Sequence, residues 1–509
     1  MTVGDPSGPH VSHAGTCDLL IAGGEVVDGL GGPRYRADVA VSGDRIVAVG
    51  RLQGWRGAKT IDAAGMVVAP GFIDVHTHDD SALLATPEMA AKVSQGVTTV
   101  VVGNCGISLA PARFSGPPPS PLDLLGEDGA WFRFETFAEY LAALAEEPPA
   151  VNALPLVGHQ TLRARHVAAL DRPSSEAEIG RMAEDVDEAM RAGAGGFSSG
   201  LEYGMSLAAS THEVTCLARV AAEHGGIYCT HIRDERDGIV SAMQEALRIG
   251  RDAGLPVVLS HHKLAGARNH GRSRETLAVI DAAMAGQEVA FDVYPYAAGS
   301  SSVTPGDVGD FRIVITRSGS HPELVGRDLA GIAGDWGCTQ AEAVARLAPV
   351  GGIYHLMDDG DVRRILAHPA AMIGSDGLPF DTLPHPRLWG TFPRVLGHYA
   401  RDLGLMSQEE AVRRMTSLPA QVFGLTERGV IAAGALADLV LFDPAGIADR
   451  ATYEAPTRPA AGIGTVIVNG RCVWRDGAAT GDRPGRILRR EPRGGGAAGA
   501  TSERRGFPG

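Results

Sequence analysis

Short apolar segments alternate with amphipathic segments through the central part of the chain. The amphipathic segments, such as SEAEIGRMAEDVDEAMRAG and GIVSAMQEALRIGRDAG, repeat apolar residues with the period of a helix. The apolar segments are nearly continuous, which is typical of strands buried on both faces. Eight of them are found: GFIDVHTH, TTVVVGNC, NALPLVGH, AGGFSSG, GGIYCTH, PVVLSHH, VAFDVYPY and AAMIGSD. This alternation predicts an α/β fold, a (β/α)8 TIM-like barrel.

The two ends of the chain carry a different pattern. Residues 17–69 and 427–478 alternate apolar and polar positions between Gly and Asp turns, as in DVAVSGDRIVAVG and IGTVIVNGRCVWRDG. We expect them to form one small β-sandwich domain, with the barrel over residues 70–426. Residues 299–369 are too many for one barrel helix and predict an inserted helical subdomain or lid. Residues 1–16 and 484–509 are rich in Gly, Pro and Arg, and we expect disordered tails there.

Composition and charge narrow the class of protein. The net charge of −14 argues against binding to nucleic acid or to an anionic membrane surface. No apolar run is long enough to span a membrane, and the N-terminus lacks the regions of a signal peptide. The six cysteines are scattered without a disulfide-like spacing. We therefore expect a reduced, cytoplasmic protein that binds neither nucleic acid nor a membrane, and nothing in the pattern predicts its oligomeric state.

Side chains that bind metals stand at the ends of five predicted strands. His76 and His78 are two residues apart, so they point to the same face of a strand. Cys105 follows another strand between glycines, where a packed thiol, a nucleophile or a metal ligand are the alternatives. Catalytic groups of such barrels lie at the carboxyl ends of the strands. The full set predicts a zinc site at that rim: His76, His78, Cys105, His231, His261 and Asp376.

Several motifs carry a resemblance to a known family. PGFIDVHTHDD resembles the HxH opening strand of the amidohydrolase superfamily. The motifs GVTTVVVGNCGIS, FSSGLEY, THIRDE, LSHHK, DVYPY, MIGSDG and HPRLWGTFPRVLGHYARDLG resemble one branch of it, the N-acyl-D-amino-acid deacylases or D-aminoacylases. The resemblance covers residues 18–476. It implies zinc-dependent hydrolysis of the amide bond of an N-acyl-D-amino acid to a carboxylate and a free D-amino acid.

The resemblance also implies how the metal ligands are divided. Many amidohydrolases bridge two metals with a carboxylated lysine on strand four, but the lysines of this chain, Lys59, Lys92 and Lys263, lie elsewhere. In the deacylase branch a cysteine of strand two takes that place. The resemblance then implies one tight Zn²⁺ site and a second, weaker one, formed respectively by Cys105, His231 and His261 and by His76, His78 and Asp376.

The remaining expectations concern the substrate, a small-molecule N-acyl amino acid. Asp376 is expected to take a proton from water and to pass it to the leaving amine. Lys263 follows the strand-six ligand and could pair with the substrate α-carboxylate. The resemblance adds three further carboxylate contacts, Tyr203, Tyr294 and Ser300. Glu202 departs from the family, which has an apolar residue there, and its charge favours substrates with neutral rather than acidic side chains.

Two alternative functions fit the same barrel. A cyclic amidase, such as a hydantoinase or dihydroorotase, is disfavoured by the missing lysine on strand four and by GNCGIS. A non-catalytic scaffold with this fold is disfavoured because all six ligand positions are occupied by metal-binding residues.

Overall fold

The computed structural model describes residues 14–491. Its strands are, in chain order, β1 (Thr16–Val26), β2 (Tyr35–Ser42), β3 (Arg45–Gly50), β4 (Arg56–Asp62), β5 (Val67–Pro70), β6 (Phe72–Asp74), β7 (Val97–Val102), β8 (Ala112–Arg113), β9 (Arg133–Phe134), β10 (Asn152–Pro155), β11 (Val157–Gly158), β12 (Gly196–Gly200), β13 (Ile227–His231), β14 (Val257–Leu259), β15 (Val289–Val293), β16 (Gly299–Ser302), β17 (Arg312–Ser318), β18 (Val350–His355), β19 (Ala371–Ile373), β20 (Leu439–Phe442), β21 (Ile463–Val468), β22 (Arg471–Arg475) and β23 (Ala478–Ala479).

The α-helices follow the predicted amphipathic segments. They are α1 (Ala82–Ala85), α2 (Ala90–Val93), α3 (Phe137–Glu146), α4 (His159–His166), α5 (Glu176–Ala192), α6 (Thr211–Glu223), α7 (Ile239–Ala253), α8 (Ser273–Met284), α9 (Leu329–Trp336), α10 (Gln340–Leu347), α11 (Asp359–Ala367), α12 (Arg387–Arg394), α13 (Gln408–Met415) and α14 (Ser417–Phe423). The start of α5 illustrates the local signal, because Ser175 and Glu178 form a reciprocal capping box there.

All eight predicted central strands are present and pair in parallel in chain order. One sheet has the order β10–β7–β6, and a second has the order β11–β12–β13–β14–β15–β19. The chain passes from β10 to β11 through Leu156, whose N–H donates to the carbonyl of Val102 at 2.9 Å. At the opposite edges, Thr77 just beyond β6 forms a parallel bridge with Gly377 just beyond β19. The two sheets therefore meet at both of their edges.

The space enclosed by these strands is filled by apolar side chains. One buried cluster takes a residue from each of seven strands: Ile73, Val101, Leu154, Ile227, Val258, Ala290 and Met372. A packed interior of this kind leaves the ends of the strands as the place where a polar site can form.

The two ends of the chain share one sheet. The nine-stranded sheet contains β1 to β5 and β20 to β23, and it is joined across the chain ends by antiparallel pairing of β5 with β20. Its apolar face is buried in a cluster that both ends supply, including Ile21, Val39, Val68, Leu439 and Ile467. Alternating apolar positions from both ends are thereby buried together.

The insertion differs from the helical subdomain that the sequence predicts. It contains an antiparallel sheet in the order β16–β18–β17 together with α9 and α10. It has an apolar cluster of its own, which includes Ile313, Ile315, Leu329, Val344 and Leu347. The β-branched run in RIVITRS favours a strand over a helix. The expected range 299–369 is also too long, because α11 packs against α8 and precedes the last central strand.

Part of the expected C-terminal tail is ordered and lies beside β10. Ile487 forms a parallel bridge with Ala153, and the N–H of Leu488 donates to the carbonyl of Ala153 at 2.7 Å. The expectation of a disordered tail is therefore wrong for residues 484–491, where two apolar side chains add to the core. Residues 1–13 and 492–509 of the two predicted tails lie outside the described residues. In the described part of the chain, no helix has the length and apolar character that crossing a membrane requires.

Candidate metal centre and active site

The six predicted ligands converge at the carboxyl ends of five strands. His231 is the last residue of β13, and the others lie just beyond their strands. All six are buried, with exposed fractions of 8% or less. Three of them hold a left-handed backbone: Cys105 at φ 55°, His261 at φ 35° and Asp376 at φ 49°. Such a conformation is unfavourable for residues other than glycine, and it clusters at functional sites where the surrounding structure enforces it.

The turn that carries Cys105 depends on its two glycine neighbours. Gly103 and Gly106 have φ values of 79° and 75°. A Cβ atom on Gly103 would lie 2.1 Å from the carbonyl oxygen of Leu156, and one on Gly106 would lie 3.0 Å from Gln160. Glycine is therefore required at Gly103, because the backbone of the neighbouring strand leaves no room for a side chain.

Cys105 lies at the centre of the cluster. Its Sγ atom is 3.2 Å from Nε2 of His76 and 3.3 Å from Nε2 of His261. Burial by itself raises the pKa of the Cys105 thiol, but the facing His76 and His261 hold that pKa well below its usual value. The pocket thus favours a thiolate, which is the form that binds zinc.

Asp376 connects the other two predicted ligands. Its Oδ1 atom is 3.2 Å from Nε2 of His78 and 3.5 Å from Nε2 of His76. Burial raises the pKa of the Asp376 carboxyl, but Arg387 and His261 outweigh burial and hold it well below its usual value. The carboxylate form is therefore stabilised at neutral pH.

The donor atoms fit a metal ion. Within residues 14–491, three groups have all ligand atoms within 4.8 Å of one another: His76–Cys105–His261, His76–His78–Asp376 and His231–Glu235–His261. The Nδ1 atoms of His78 and His231 are buried without a hydrogen-bond partner in the described structure. Buried polar atoms are rarely left unsatisfied, so these two nitrogens indicate that a ligand completes the site. Thiolate and imidazole are the donors that zinc prefers.

The geometry groups the residues differently from the predicted division in one respect. His76, His78 and Asp376 form one group, as predicted. Cys105 and His261 also share a group, but its third member is His76, and His231 is grouped with Glu235 and His261. The six predicted ligands therefore form one continuous cluster, and the two predicted metal sites are adjacent within it.

Two carboxylates that sequence reasoning missed orient the histidines. The Oε1 atom of Glu235 lies 3.1 Å from Nδ1 of His261. The Oδ2 atom of Asp292 lies 3.4 Å from Nδ1 of His76. Carboxylate partners of this kind set the ring orientation of metal-binding histidines. Asp292 had a signal in the sequence, because it is an acidic residue within the otherwise apolar strand VAFDV.

Arg387 is a further residue of the site whose role could not be predicted from the sequence. Its side chain is buried at 1% exposure, and Nη1 lies 2.8 Å from Oδ2 of Asp376. Its Nη2 donates to the carbonyl of Ser300 at 2.9 Å, and its guanidinium lies 4.6 Å from the centre of the Tyr294 ring. A buried cation therefore lies beside the catalytic carboxylate candidate.

The predicted substrate residues line one cavity of about 960 Å³ that opens above the cluster. Its wall includes Lys263, Tyr203, Tyr294 and Ser300, along with His78, His231, Asp376 and Arg387. The Oγ atom of Ser300 is buried without a partner in the described structure.

Lys263 and Tyr203 both contact residues of the cluster, which limits how each can contact a substrate. The ammonium of Lys263 lies 2.5 Å from Glu235 and 2.7 Å from Nδ1 of His261. Lys263 therefore already has a carboxylate partner. The ring of Tyr203 packs 4.9 Å from the ring of His231.

Glu202 lies on the cavity wall beside the cluster. Its Oε2 atom is 3.2 Å from Nε2 of His231, and its Oε1 atom is 3.4 Å from Arg236. Both Glu202 and Arg236 line the cavity. A negative charge is thus held between a predicted metal ligand and the open part of the cavity.

Fold and site together define a class of protein. A model of the amidohydrolase family matches residues 59–310 and 327–474, and the chain belongs to this family. A D-aminoacylase of Alcaligenes xylosoxydans xylosoxydans is 54% identical over 476 residues, which are 93% of this chain and 98% of that protein. The resemblance to the deacylase branch is therefore confirmed over nearly the whole chain.

Solved structures agree with this relationship. A D-aminoacylase with a binuclear metal centre, activated by one metal and attenuated by the second, matches with a TM-score of 0.91 and 53% identity, over 93% of this chain and 100% of that one. The N-acyl-D-glutamate deacylase of Bordetella bronchiseptica, complexed with zinc and a phosphonate inhibitor, matches with a TM-score of 0.90 and 48% identity, over 93% and 100%. The amidohydrolase fold is thus shared with enzymes that bind metals.

Proposed function

We propose that this protein hydrolyses the amide bond of N-acyl-D-amino acids and releases a carboxylate and a free D-amino acid. The observation that carries the proposal is the convergence of Cys105, the histidines and Asp376 beneath a cavity with a buried cationic wall. The identity of about half of all residues with a D-aminoacylase supports it. The preference for the D form rests on that relationship alone.

We propose a closed (β/α)8 barrel over residues 70–426, with residues 17–69 and 427–478 as a small β-sandwich domain. The parallel bridge between Thr77 and Gly377 supports closure of the barrel. The cytoplasmic location remains a prediction from composition, and the small-molecule partner, an N-acyl amino acid, is supported by the relationship to the deacylases.

We propose that the metal is Zn²⁺, with one tight site and a second, weaker site. The tight site is assigned to Cys105, His231 and His261, and the weaker site to His76, His78 and Asp376. The low pKa of the Cys105 thiol and the unpaired Nδ1 of His231 support the first assignment. When bound, zinc polarises a substrate carbonyl and lowers the pKa of a water molecule.

Asp376 is the proposed general base. Its low pKa keeps the carboxylate ready to accept a proton from the attacking water. The ion pair with Arg387 occupies Oδ2 and leaves Oδ1 on the side of His76 and His78. The same carboxyl then returns the proton to the amine as the C–N bond breaks.

Arg387, Tyr294, Ser300 and Lys263 form the proposed anchor for the substrate α-carboxylate. Arg387 is the strongest candidate of the four, since it is a buried cation on the cavity wall and already binds the carbonyl of Ser300. Lys263 contributes positive charge although Glu235 partly neutralises it. A planar guanidinium binds a carboxylate with better geometry than an ammonium does. The predicted contact from Tyr203 is less direct, since that ring packs on His231.

The side chain of the preferred substrate is proposed to be neutral. Glu202 places a carboxylate on the cavity wall, and a substrate carboxylate nearby would be repelled. The cyclic-amidase alternative gains no support, since β12, the fourth of the central strands, contains no lysine.

Hydrolysis of N-acetyl-D-methionine and N-acetyl-L-methionine by the zinc-loaded protein tests the proposal, with release of free amino acid as the readout. We expect turnover of the D form only. Equal turnover of the L form would contradict the stereochemical assignment. Turnover of hydantoins without turnover of either acyl amino acid would replace the proposal with the cyclic-amidase alternative.

A further inference from the structure

Two of the clustered histidines present Nε2 to Cys105 and Nδ1 to groups outside the cluster. Nδ1 of His76 lies 3.4 Å from Asp292, whereas Nδ1 of His261 lies 3.1 Å from Glu235 and 2.7 Å from the ammonium of Lys263. Their opposite nitrogens, Nε2, lie 3.2 Å and 3.3 Å from Sγ of Cys105. In His76 one ring nitrogen therefore faces an acidic side chain while the other faces the centre of the cluster. In His261 the nearest neighbour of Nδ1 is the ammonium of Lys263, which can only donate a hydrogen bond.

His231 has the arrangement of His76 with its two nitrogens exchanged. Its Nε2 lies 3.2 Å from Oε2 of Glu202, and its Nδ1 is buried without a partner in the described structure. A neutral imidazole has one N–H donor and one acceptor nitrogen. Donation from Nε2 to Glu202 leaves the lone pair of Nδ1 free. Glu235 is a poorer partner for Nε2, because its nearest oxygen is 3.8 Å away.

We propose that Glu202 is a positioning residue for the metal site, whose carboxylate accepts a hydrogen bond from Nε2 of His231 and keeps Nδ1 available as a ligand. This inference rests on the proposed function, because it assumes that His231 binds the metal.

The loop that carries Glu202 is fixed on both sides. Gln160 donates from Nε2 to the carbonyl of Gly200 at 2.6 Å, just before Glu202. Arg163, which is fully buried, donates from Nε to the carbonyl of Met205 at 2.7 Å, just after it. Arg236 holds the second carboxylate oxygen of Glu202 at 3.4 Å. These contacts favour one orientation of the carboxylate before any metal binds.

The expected effect is on metal affinity. A carboxylate at the outer nitrogen fixes the tautomer and raises the basicity of the coordinating nitrogen, and loss of such a partner typically weakens metal binding by about 10- to 100-fold. We therefore expect Glu202→Leu to weaken zinc binding by about 10- to 100-fold, and Glu202→Gln, whose carbonyl can still accept from Nε2, to weaken it less.

The experiment measures the zinc Kd of metal-free protein by competition with a chromophoric chelator. Asp310→Asn is the matched control, because Asp310 lines the same cavity and its removal takes away the same charge without a contact to His231. Thermal unfolding of each metal-free variant tests the fold. The visible spectrum of the Co²⁺-loaded protein reports on the ligand field, and we expect Glu202→Leu to shift it.

Cys105→Ala in the same assay separates the two proposals. Loss of zinc from Cys105→Ala, with an unchanged Kd in Glu202→Leu, would overturn the role of Glu202 and leave the metal site intact. Retention of zinc by Cys105→Ala would overturn the metal site itself. An equal loss of affinity in Asp310→Asn would assign the effect to net charge and would also overturn the inference.

Discussion

Replacement of Arg387 tests the centre of the proposed active site. The guanidinium is buried, pairs with Asp376 at 2.8 Å and donates to the carbonyl of Ser300 at 2.9 Å. Arg387→Met retains most of the side-chain length and apolar volume but removes the charge. It leaves Asp376 without its main counter-charge and takes the strongest proposed cation away from the substrate α-carboxylate.

The magnitude follows from these contacts. A hydrogen bond to a charged group contributes about 1.5–3 kcal/mol. The contact to Asp376 is present in the free protein, so only the proposed contact to the substrate α-carboxylate counts toward kcat/KM. We therefore expect a loss of about 1.5–3 kcal/mol in transition-state stabilisation, or roughly 10- to 10²-fold in kcat/KM.

The assay is the steady-state hydrolysis of N-acetyl-D-methionine, with bound zinc measured on the same samples. Arg387→Lys is the control, since it keeps the charge but loses the planar pair of donors, and we expect it to be intermediate. A value of kcat/KM for Arg387→Met within twofold of the parent protein would refute the reasoning. Loss of zinc in the variant would show that the residue acts through the metal site instead.

Other changes give separate expectations. Cys105→Ala is expected to lose bound zinc and nearly all activity while circular dichroism remains unchanged, and full zinc retention would contradict its role as a ligand. Lys263→Ala is expected to raise KM for acyl amino acids, whereas an unchanged KM would indicate that the carboxylate is bound elsewhere. Lys92→Met is expected to lower the free energy of unfolding by about 3–5 kcal/mol, since the buried ammonium is 2.8 Å from Asp74 and 3.2 Å from Asp79. Urea unfolding measures this loss, and a change below about 1 kcal/mol would contradict it. Removal of metal with a chelator is expected to abolish turnover, and added zinc to restore it.

The central strands could be predicted because their signal is local. A run such as VTTVVV is buried along its whole length, and the glycines after it mark where the strand ends. The same reasoning located Cys105 and His261 at strand ends. The insertion was predicted less well, since its length was visible in the sequence but its antiparallel sheet depends on pairing between β16, β17 and β18.

The residues that contact the predicted metal ligands could not be given roles from the sequence in the same way. Glu235 and Asp292 stand inside recognisable motifs, but an acidic residue in a motif has many structural uses. Their partners, His261 and His76, are 26 and 216 residues away in the chain. Arg387, at the start of α12, likewise lies 2.8 Å from Asp376, beyond the end of β19, and its place in the sequence does not indicate that contact.

The sequence by itself therefore determined the repeating strand and helix pattern and the residue types at the strand ends. Both follow from hydrophobic periodicity and turn chemistry, which act over a few neighbouring residues. Only the tertiary structure decided which ligands share a group, which nitrogen of His231 is free, and that Glu202 faces that ring. Those properties depend on atoms brought within 3–4 Å by strands that are distant in the chain, and local periodicity carries no information about such distances.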